Sequence, residues 1–258
     1  EEVAGACLRA GAEAGHRSAQ LAFARMLLSN ESAPASRDPV AGIAWLRKAA
    51  QIDEAEEDEE EEANDDQVKR PEVGLKAKTR PEASLAASNK KAGAEAMAAL
   101  GACYAAGIAV PQSTEKAARW NKAAAKRGDT AGMLATSKAY FDGEGLSQDD
   151  LRGWEWLEAA ATAGSAPAMF AASLRLASGK AVVPDADKAL KWLQKAAAAG
   201  HPKACFNLAI RLLRPPQGEQ KASMERAHAL LRTAANQGHA KAVEMLKAPP
   251  KPPPVPRP

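Results

Sequence analysis

The chain has 258 residues, a formal net charge of +3, and a composition in which 46% of the residues are apolar but only 4% are aromatic. Alanine is the commonest residue, and alanine is the best helix former while it contributes little volume to a core. A β-sandwich or barrel, which needs β-branched and aromatic residues, is therefore excluded. No apolar run reaches the about 18 residues that a transmembrane helix requires. We expect a helical, soluble protein.

Charge is distributed unevenly along the chain. Residues 53–66 hold eleven acidic and no basic side chains, so the remainder carries 35 basic against 21 acidic residues, a net charge of +14. An acidic block of this kind repels itself and is typical of disorder. The basic remainder is compatible with nucleic-acid binding. However, Lys and Arg are spread along the chain, which favours an ordinary charged helical surface.

A tryptophan motif recurs along the chain. Trp45, Trp120, Trp156 and Trp192 are each followed, four and five residues later, by two alanines, and Leu230 takes the tryptophan position in a fifth copy. Trp120, Trp156 and Trp192 are 36 residues apart, and a glycine lies eight residues after each of them. Repetition at this period is typical of proteins built from stacked helical hairpins.

Each repeat has the pattern of two helices joined by a turn. Small residues recur four and nine residues after the repeat glycine, and larger residues eight and twelve residues after it, so both sets lie on one face of a first helix. Breaks that contain Gly107, Gly143 or Gly179 end these first helices. A single hairpin cannot bury its apolar face, whereas a stack of hairpins can.

The predicted organisation follows from this frame. In chain order it is the end of a preceding second helix at 1–14, a degenerate repeat at 15–52, an insertion at 53–91, repeats at 92–127, 128–163, 164–199 and 200–237, a lone first helix at 238–247 and a proline-rich tail at 248–258. The insertion is acidic and then basic, and we expect it to be disordered. The tail should adopt polyproline II and act as a stiff linker.

The best-preserved copies carry Gly-x-x-x-Ala-x-x-x-Leu-Gly, then Tyr, Gly-x-Gly and Lys-Ala-x-x-Trp-x-x-Lys-Ala-Ala-x-x-Gly. This pattern resembles the Sel-one-like repeat, a relative of the tetratricopeptide repeat. The resemblance implies an all-α fold, a right-handed α/α superhelical solenoid of stacked helix-turn-helix repeats. It also implies an adaptor that holds a partner protein on a concave face lined by first helices. Thr136, Ala172 and Leu230 depart from the pattern, so their repeats should pack more loosely.

The sequence offers no constellation for catalysis. His16, His201 and His239 each follow a repeat glycine, at the position where Asp129 and Ser165 occur, and these are helix-capping residue types. Equivalent positions in a solenoid lie a repeat apart, too far for shared ligation of one metal. The three cysteines form no CxxC motif. We therefore predict a protein that is not an enzyme, with no catalytic residues, cofactor, metal site or small-molecule substrate.

The predicted partner-binding residues are first-helix side chains that lie off the core-facing stripe. They are Arg25, Lys138, Phe170, Arg175, Phe206, Asn207 and Arg211. Trp154, beside the core Trp156, is either a further contact residue or a packing residue of the neighbouring repeat. The residues do not indicate the identity of the partner protein.

Two other functions remain open from the residues alone. One is nucleic-acid binding through the basic surface, although nucleic acid is the less favoured partner. The other is a regulatory subunit that activates an enzyme in trans. For localisation the cytoplasm is favoured. The periplasm or another secretory compartment stays open, because the chain begins with Glu1 rather than Met, which indicates a missing N-terminus.

Overall fold

A computed structural model describes residues 2–29, 37–51, 81–213 and 220–247. These residues form twelve α-helices and no strand, which confirms the predicted all-α fold of helix-turn-helix repeats. The acidic block at 53–66 and the proline-rich tail lie outside the described residues. None of the described helices is both long and apolar enough to cross a membrane.

The described residues form twelve helices in the following order along the chain. They are α1 (Glu2–Glu13), α2 (Arg17–Leu28), α3 (Pro39–Ala50), α4 (Pro81–Ala106), α5 (Thr114–Lys126), α6 (Thr130–Asp142), α7 (Asp150–Thr162), α8 (Ala166–Ser178), α9 (Ala186–Ala198), α10 (Pro202–Leu212), α11 (Gln220–Asn236) and α12 (Ala240–Lys247). The chain divides into two compact units, unit 1 (residues 1–163) and unit 2 (residues 164–258).

Unit 1 contains three hairpins, α2–α3, α4–α5 and α6–α7, and α1 packs against α2. Helix α3 contacts α4, and α5 contacts α6, so successive hairpins stack. Large side chains with almost no exposed surface fill the space between them: Leu46, Met97, Leu100, Met133 and Leu157. Each hairpin therefore relies on its neighbours to bury its apolar face.

Unit 2 repeats the arrangement with the hairpins α8–α9 and α10–α11, and α12 packs against α11. Its core is thin and rich in small residues. Ala196, Ala204 and Cys205 lie beside Leu208 and Leu231 in one buried cluster. Leu208 and Leu231 are 7% and 1% exposed in this cluster, because the small alanines let the helix backbones approach closely.

The second helices of three repeats each begin at a residue whose side chain caps the helix. Ser113, Asp149 and Asp185 each accept a hydrogen bond from the backbone N–H three residues later, at 3.2, 3.0 and 2.9 Å respectively. Such a cap satisfies one of the N–H groups that a helix start leaves without a partner. The second helix of each of these three repeats therefore begins where a Ser or Asp precedes the alanine-rich run.

The disorder predicted for the insertion is wrong at its C-terminal end. Helix α4 begins at Pro81, so residues 81–91, which we expected to belong to a disordered segment, are helical. Proline is favoured in the first turn of a helix, and the residues that follow it include Glu, Leu, Lys and several alanines, which are good helix formers. The prediction gave too much weight to the proline and to the neighbouring charges.

The repeated tryptophans are not equally buried. Trp120 and Trp156 are buried, whereas Trp45 and Trp192 are only partly buried. A lysine one turn later covers each exposed ring, with Lys48 Nζ 4.4 Å from the Trp45 ring and Lys195 Nζ 4.5 Å from the Trp192 ring. Those two rings thus combine apolar packing with a cation–π contact.

Candidate partner-binding groove

The first helices of unit 2 line an open groove of about 490 Å³. Its lining residues are Phe170 and Leu174 from α8, Lys203, Phe206 and Asn207 from α10, and His239, Ala240 and Lys241 at the start of α12. Three of the predicted partner-binding residues, Phe170, Phe206 and Asn207, are therefore brought together. Groove residues that the sequence interpretation missed are Leu174, Lys203, His239, Ala240 and Lys241.

The groove residues Phe170 and Phe206 each stack on a histidine. Phe170 stacks on His201 with ring centroids 4.7 Å apart and an angle of 25° between the planes. Phe206 stacks on His239 in the same way, at 4.6 Å and 24°. In each pair the phenylalanine belongs to one first helix and the histidine begins the next. The stacks therefore connect successive repeats and cover one face of each phenylalanine ring.

The two histidines also cap the helices that they precede. His201 Nδ1 accepts a hydrogen bond from the backbone N–H of Ala204, and His239 Nδ1 accepts one from that of Ala242, both at 3.3 Å. The predicted capping role is confirmed for these residues. His16 makes no side-chain capping hydrogen bond, so that prediction is wrong at the first repeat. Because Nδ1 is the acceptor, the neutral ring carries its proton on Nε2.

The contribution of His201 to the stability of the fold depends on pH. Burial lowers the pKa of His201 below its usual 6.5, and the positive charge of Lys203 lowers that pKa further. The unfolded chain then takes up a proton at a higher pH than the folded chain does. Stability from this group is therefore complete above about pH 6.5 and decreases as the pH falls from there towards the folded pKa.

We expect the His201→Asn variant to lose less stability than the wild-type chain on acidification from pH 7 to pH 5. Asparagine is a good N-cap but does not titrate, so the variant keeps a cap on α10 and loses the proton linkage. Thermal unfolding followed by circular dichroism at both pH values measures the difference. Identical losses in the two proteins would show that His201 does not contribute to the acid sensitivity.

The edge of the groove is positively charged. Lys203 and Lys241 occupy equivalent positions, three residues after Gly200 and Gly238, and both are exposed. Within the described part of the chain neither lysine lies within ion-pair distance of a carboxylate. Asn207, also exposed, adds an amide at the same edge. The groove therefore combines an apolar floor with cationic and amide groups.

The remaining predicted residues do not line this groove. In unit 2, Arg175 is half-buried on α8 and Arg211 is exposed on α10. In unit 1, the guanidinium of Arg25 lies 3.1 Å from the Glu95 carboxylate. Trp154 is half-buried on α7, which leaves both of its predicted roles open.

Lys138, the other predicted residue of unit 1, is held by acidic neighbours. Its Nζ lies 3.1 Å from the Glu144 carboxylate and 3.5 Å from that of Asp142. The hydrogen bond to Glu144 is the main reason that the pKa of Lys138 is raised. A partner that used Lys138 would have to compete with these two carboxylates.

The described residues hold no cluster of three side chains that could ligate a metal ion. Cys103 and Cys205 are buried, and burial raises the pKa of both thiols. A raised pKa keeps a thiol protonated, and the protonated form is a poor nucleophile. These two cysteines therefore behave as small apolar residues of the repeat cores.

The chain is similar to known repeat proteins. Five segments, 18–53, 94–129, 131–165, 166–201 and 202–239, match the Sel1 repeat family. A Sel1 repeat protein from Oxalobacter formigenes has a similar crystal structure, with 26% sequence identity and a TM-score of 0.66 over 93% of this chain and 57% of that one. No curated protein matches the chain.

A second solved structure supports the fold alone. It is c5321, a protective antigen present in uropathogenic Escherichia coli strains and displaying an SLR fold, with 22% identity and a TM-score of 0.51 over 93% of this chain and 50% of that one. The chain thus spans only 57% and 50% of the lengths of these two solved proteins. Because the matching segments cover most of the sequence and the hairpins stack as in these structures, the chain belongs to the Sel1 repeat family.

Proposed function

We propose that this chain is a non-catalytic scaffold that binds a partner protein, and that the groove of unit 2 is its contact surface. Sel1 repeats commonly serve as protein-interaction scaffolds. The supporting observation is the groove itself, where an apolar floor of Phe170, Leu174 and Phe206 is bordered by Lys203 and Lys241. Protein interfaces have this composition, an apolar centre surrounded by polar residues.

The preformed shape of the groove favours binding. Both phenylalanines are held by stacking on histidines that are themselves fixed by backbone hydrogen bonds. Side chains that are already ordered lose little conformational entropy when a partner binds. Leu174 is 47% exposed, so a partner can bury additional apolar surface there.

The test compares two variants of the full chain, in each of which one exposed apolar residue is replaced by serine. Leu174→Ser removes an exposed apolar side chain from the groove, and Val183→Ser removes one that is 84% exposed in the same unit but outside the groove. Partner proteins are recovered from the source cell on each immobilised variant, and the affinity of each recovered partner is then measured. We expect Leu174→Ser to weaken binding about tenfold, the effect of losing roughly 1.5 kcal/mol of apolar burial.

Val183→Ser should leave the affinity within about twofold of the wild-type value. Circular dichroism of both variants checks that the helices are intact. Equal affinities for Leu174→Ser and Val183→Ser would place the contact surface elsewhere on the chain. Charge reversal at Arg175 and Arg211 in the same experiment tests the two predicted arginines that lie outside the groove.

A further inference from the structure

The charged groups of the groove all have the same sign. Lys203 and Lys241 are the ionised side chains among its lining residues, and no carboxylate belongs to the lining. In the described part of the molecule neither lysine is neutralised by an ion pair. A ligand that brings negative charge would therefore be attracted to this groove, and one that brings positive charge would be repelled.

His239 adds a directed hydrogen-bond donor. Its Nδ1 is occupied by the N–H of Ala242, which places the proton of the neutral ring on Nε2. That Nε2–H has no acceptor among the described residues. The exposed amide of Asn207 is a further donor in the same lining. Carboxylate oxygens accept hydrogen bonds from both kinds of donor and from lysine.

The apolar lining of the groove favours a ligand that carries a large apolar group as well as negative charge. Phe170 and Phe206 are half-buried, and Leu174, four residues after Phe170, is exposed on the same helix. A purely ionic ligand would leave this apolar surface in contact with water. A ligand that buries a large aliphatic or aromatic side chain against it would gain from the hydrophobic effect.

A nucleic acid satisfies these requirements less well. Proteins that bind single strands stack bases on free aromatic faces along a groove with many basic groups. Here the imidazoles of His201 and His239 already cover one face of each phenylalanine, and two lysines are few for a phosphate backbone. The observations thus favour a carboxylate-bearing peptide.

We propose that the groove of unit 2 binds an acidic peptide segment of a partner protein, with a large apolar side chain on Phe170, Leu174 and Phe206 and flanking carboxylates at Lys203, Lys241 and His239. This inference rests on the proposed function as a protein-binding scaffold. It adds the chemistry of the ligand, which a general scaffold role does not specify.

The first experiment selects ligands without assuming their sequence. A displayed library of random dodecapeptides is selected on the full chain, and enriched peptides are synthesised and their affinities measured by fluorescence anisotropy. We expect enrichment of Asp and Glu on both sides of Leu, Phe or Trp. Enrichment of basic or uncharged peptides, or no enrichment, would overturn the inference.

The second experiment assigns the selected peptides to the groove. The Lys203→Glu/Lys241→Glu variant should bind them about tenfold more weakly, because two attractive charges become repulsive. The control is Lys191→Glu, a single reversal at an exposed lysine of α9 in the same unit but outside the groove, and it should change affinity by less than about twofold. A peptide whose acidic residues are replaced by lysine should in turn bind the double glutamate variant better than the wild-type chain.

The outcomes separate this inference from the scaffold proposal. If the selected peptides are neutral or basic but lose affinity with Leu174→Ser, the groove binds proteins and the acidic chemistry is wrong. If neither Leu174→Ser nor the double glutamate variant changes affinity, both proposals are wrong. A labelled oligouridylate that binds tightly, with a steep loss of affinity in salt and a loss in the double variant, would show that the groove takes nucleic acid instead.

Discussion

Replacing Trp156 with alanine is expected to lower the free energy of unfolding by about 3–5 kcal/mol, the usual cost of removing a large buried aromatic side chain. Trp156 lies on α7 and is only 3% exposed, so its truncation leaves a cavity in unit 1. Urea denaturation followed by circular dichroism measures the loss.

Trp154 on the same helix provides the control. It is two residues earlier and only half-buried, so Trp154→Ala removes the same number of atoms from a site that is already partly in contact with water. We expect this variant to lose less than half as much stability as Trp156→Ala. Equal losses of unfolding free energy in the two variants would mean that the deeper burial of Trp156 contributes no additional stability.

Gly145→Ala is expected to destabilise unit 1 by more than about 2 kcal/mol, through two independent effects. The glycine has a φ of +75°, a left-handed conformation that L-residues adopt at a cost. A Cβ at this position would also overlap the carbonyl oxygen of Thr114, the first residue of α5. Backbone atoms cannot rotate away, so the turn or the start of α5 would have to move.

Gly143 in the same turn separates the two effects. Its φ is +69°, but a Cβ there would meet nothing closer than 3.5 Å. Gly143→Ala should therefore show only the backbone cost, about 1 kcal/mol. Thermal unfolding of both variants measures the difference. If Gly143→Ala is as destabilising as Gly145→Ala, the overlap of a Cβ with the Thr114 carbonyl adds no cost of its own.

The repeat architecture could be predicted because the sequence encodes it locally. Alanine-rich helices, glycine at the ends of repeats and tryptophan at a constant spacing each favour the same hairpin. Of the four repeat tryptophans, Trp120 and Trp156 are buried, whereas Trp45 and Trp192 are only partly buried. The start of α4 was harder to predict, because helix propensity and charge pointed in opposite directions between residues 81 and 91.

The groove could be predicted only in part. Phe170, Phe206 and Asn207 were identified because they lie off the buried stripe of their helices. Their stacking on histidines depends on the register between successive repeats, which a single helix does not determine. Although His201 and His239 were correctly placed as caps, the capping residue type gave no indication of an aromatic partner.

The missed lysines show why charge is difficult to interpret along a linear sequence. Lys203 and Lys241 are far apart in the chain and appear as two of many scattered basic residues. They lie in one groove because they occupy equivalent positions in successive repeats. A comparison of equivalent positions in the repeats, rather than of neighbouring residues, would have identified these two lysines. It would also have identified Leu174, which lies one turn after Phe170.

Binding at the groove of unit 2 is the central claim, and the paired affinities of Leu174→Ser and Val183→Ser for the same recovered partner test it most directly. Both variants lose an exposed apolar side chain of one unit, and only the first loses it from the groove. We predict a roughly tenfold weaker affinity for Leu174→Ser and an affinity within about twofold of wild type for Val183→Ser. Wild-type affinity in Leu174→Ser, with its helices intact, would contradict the account.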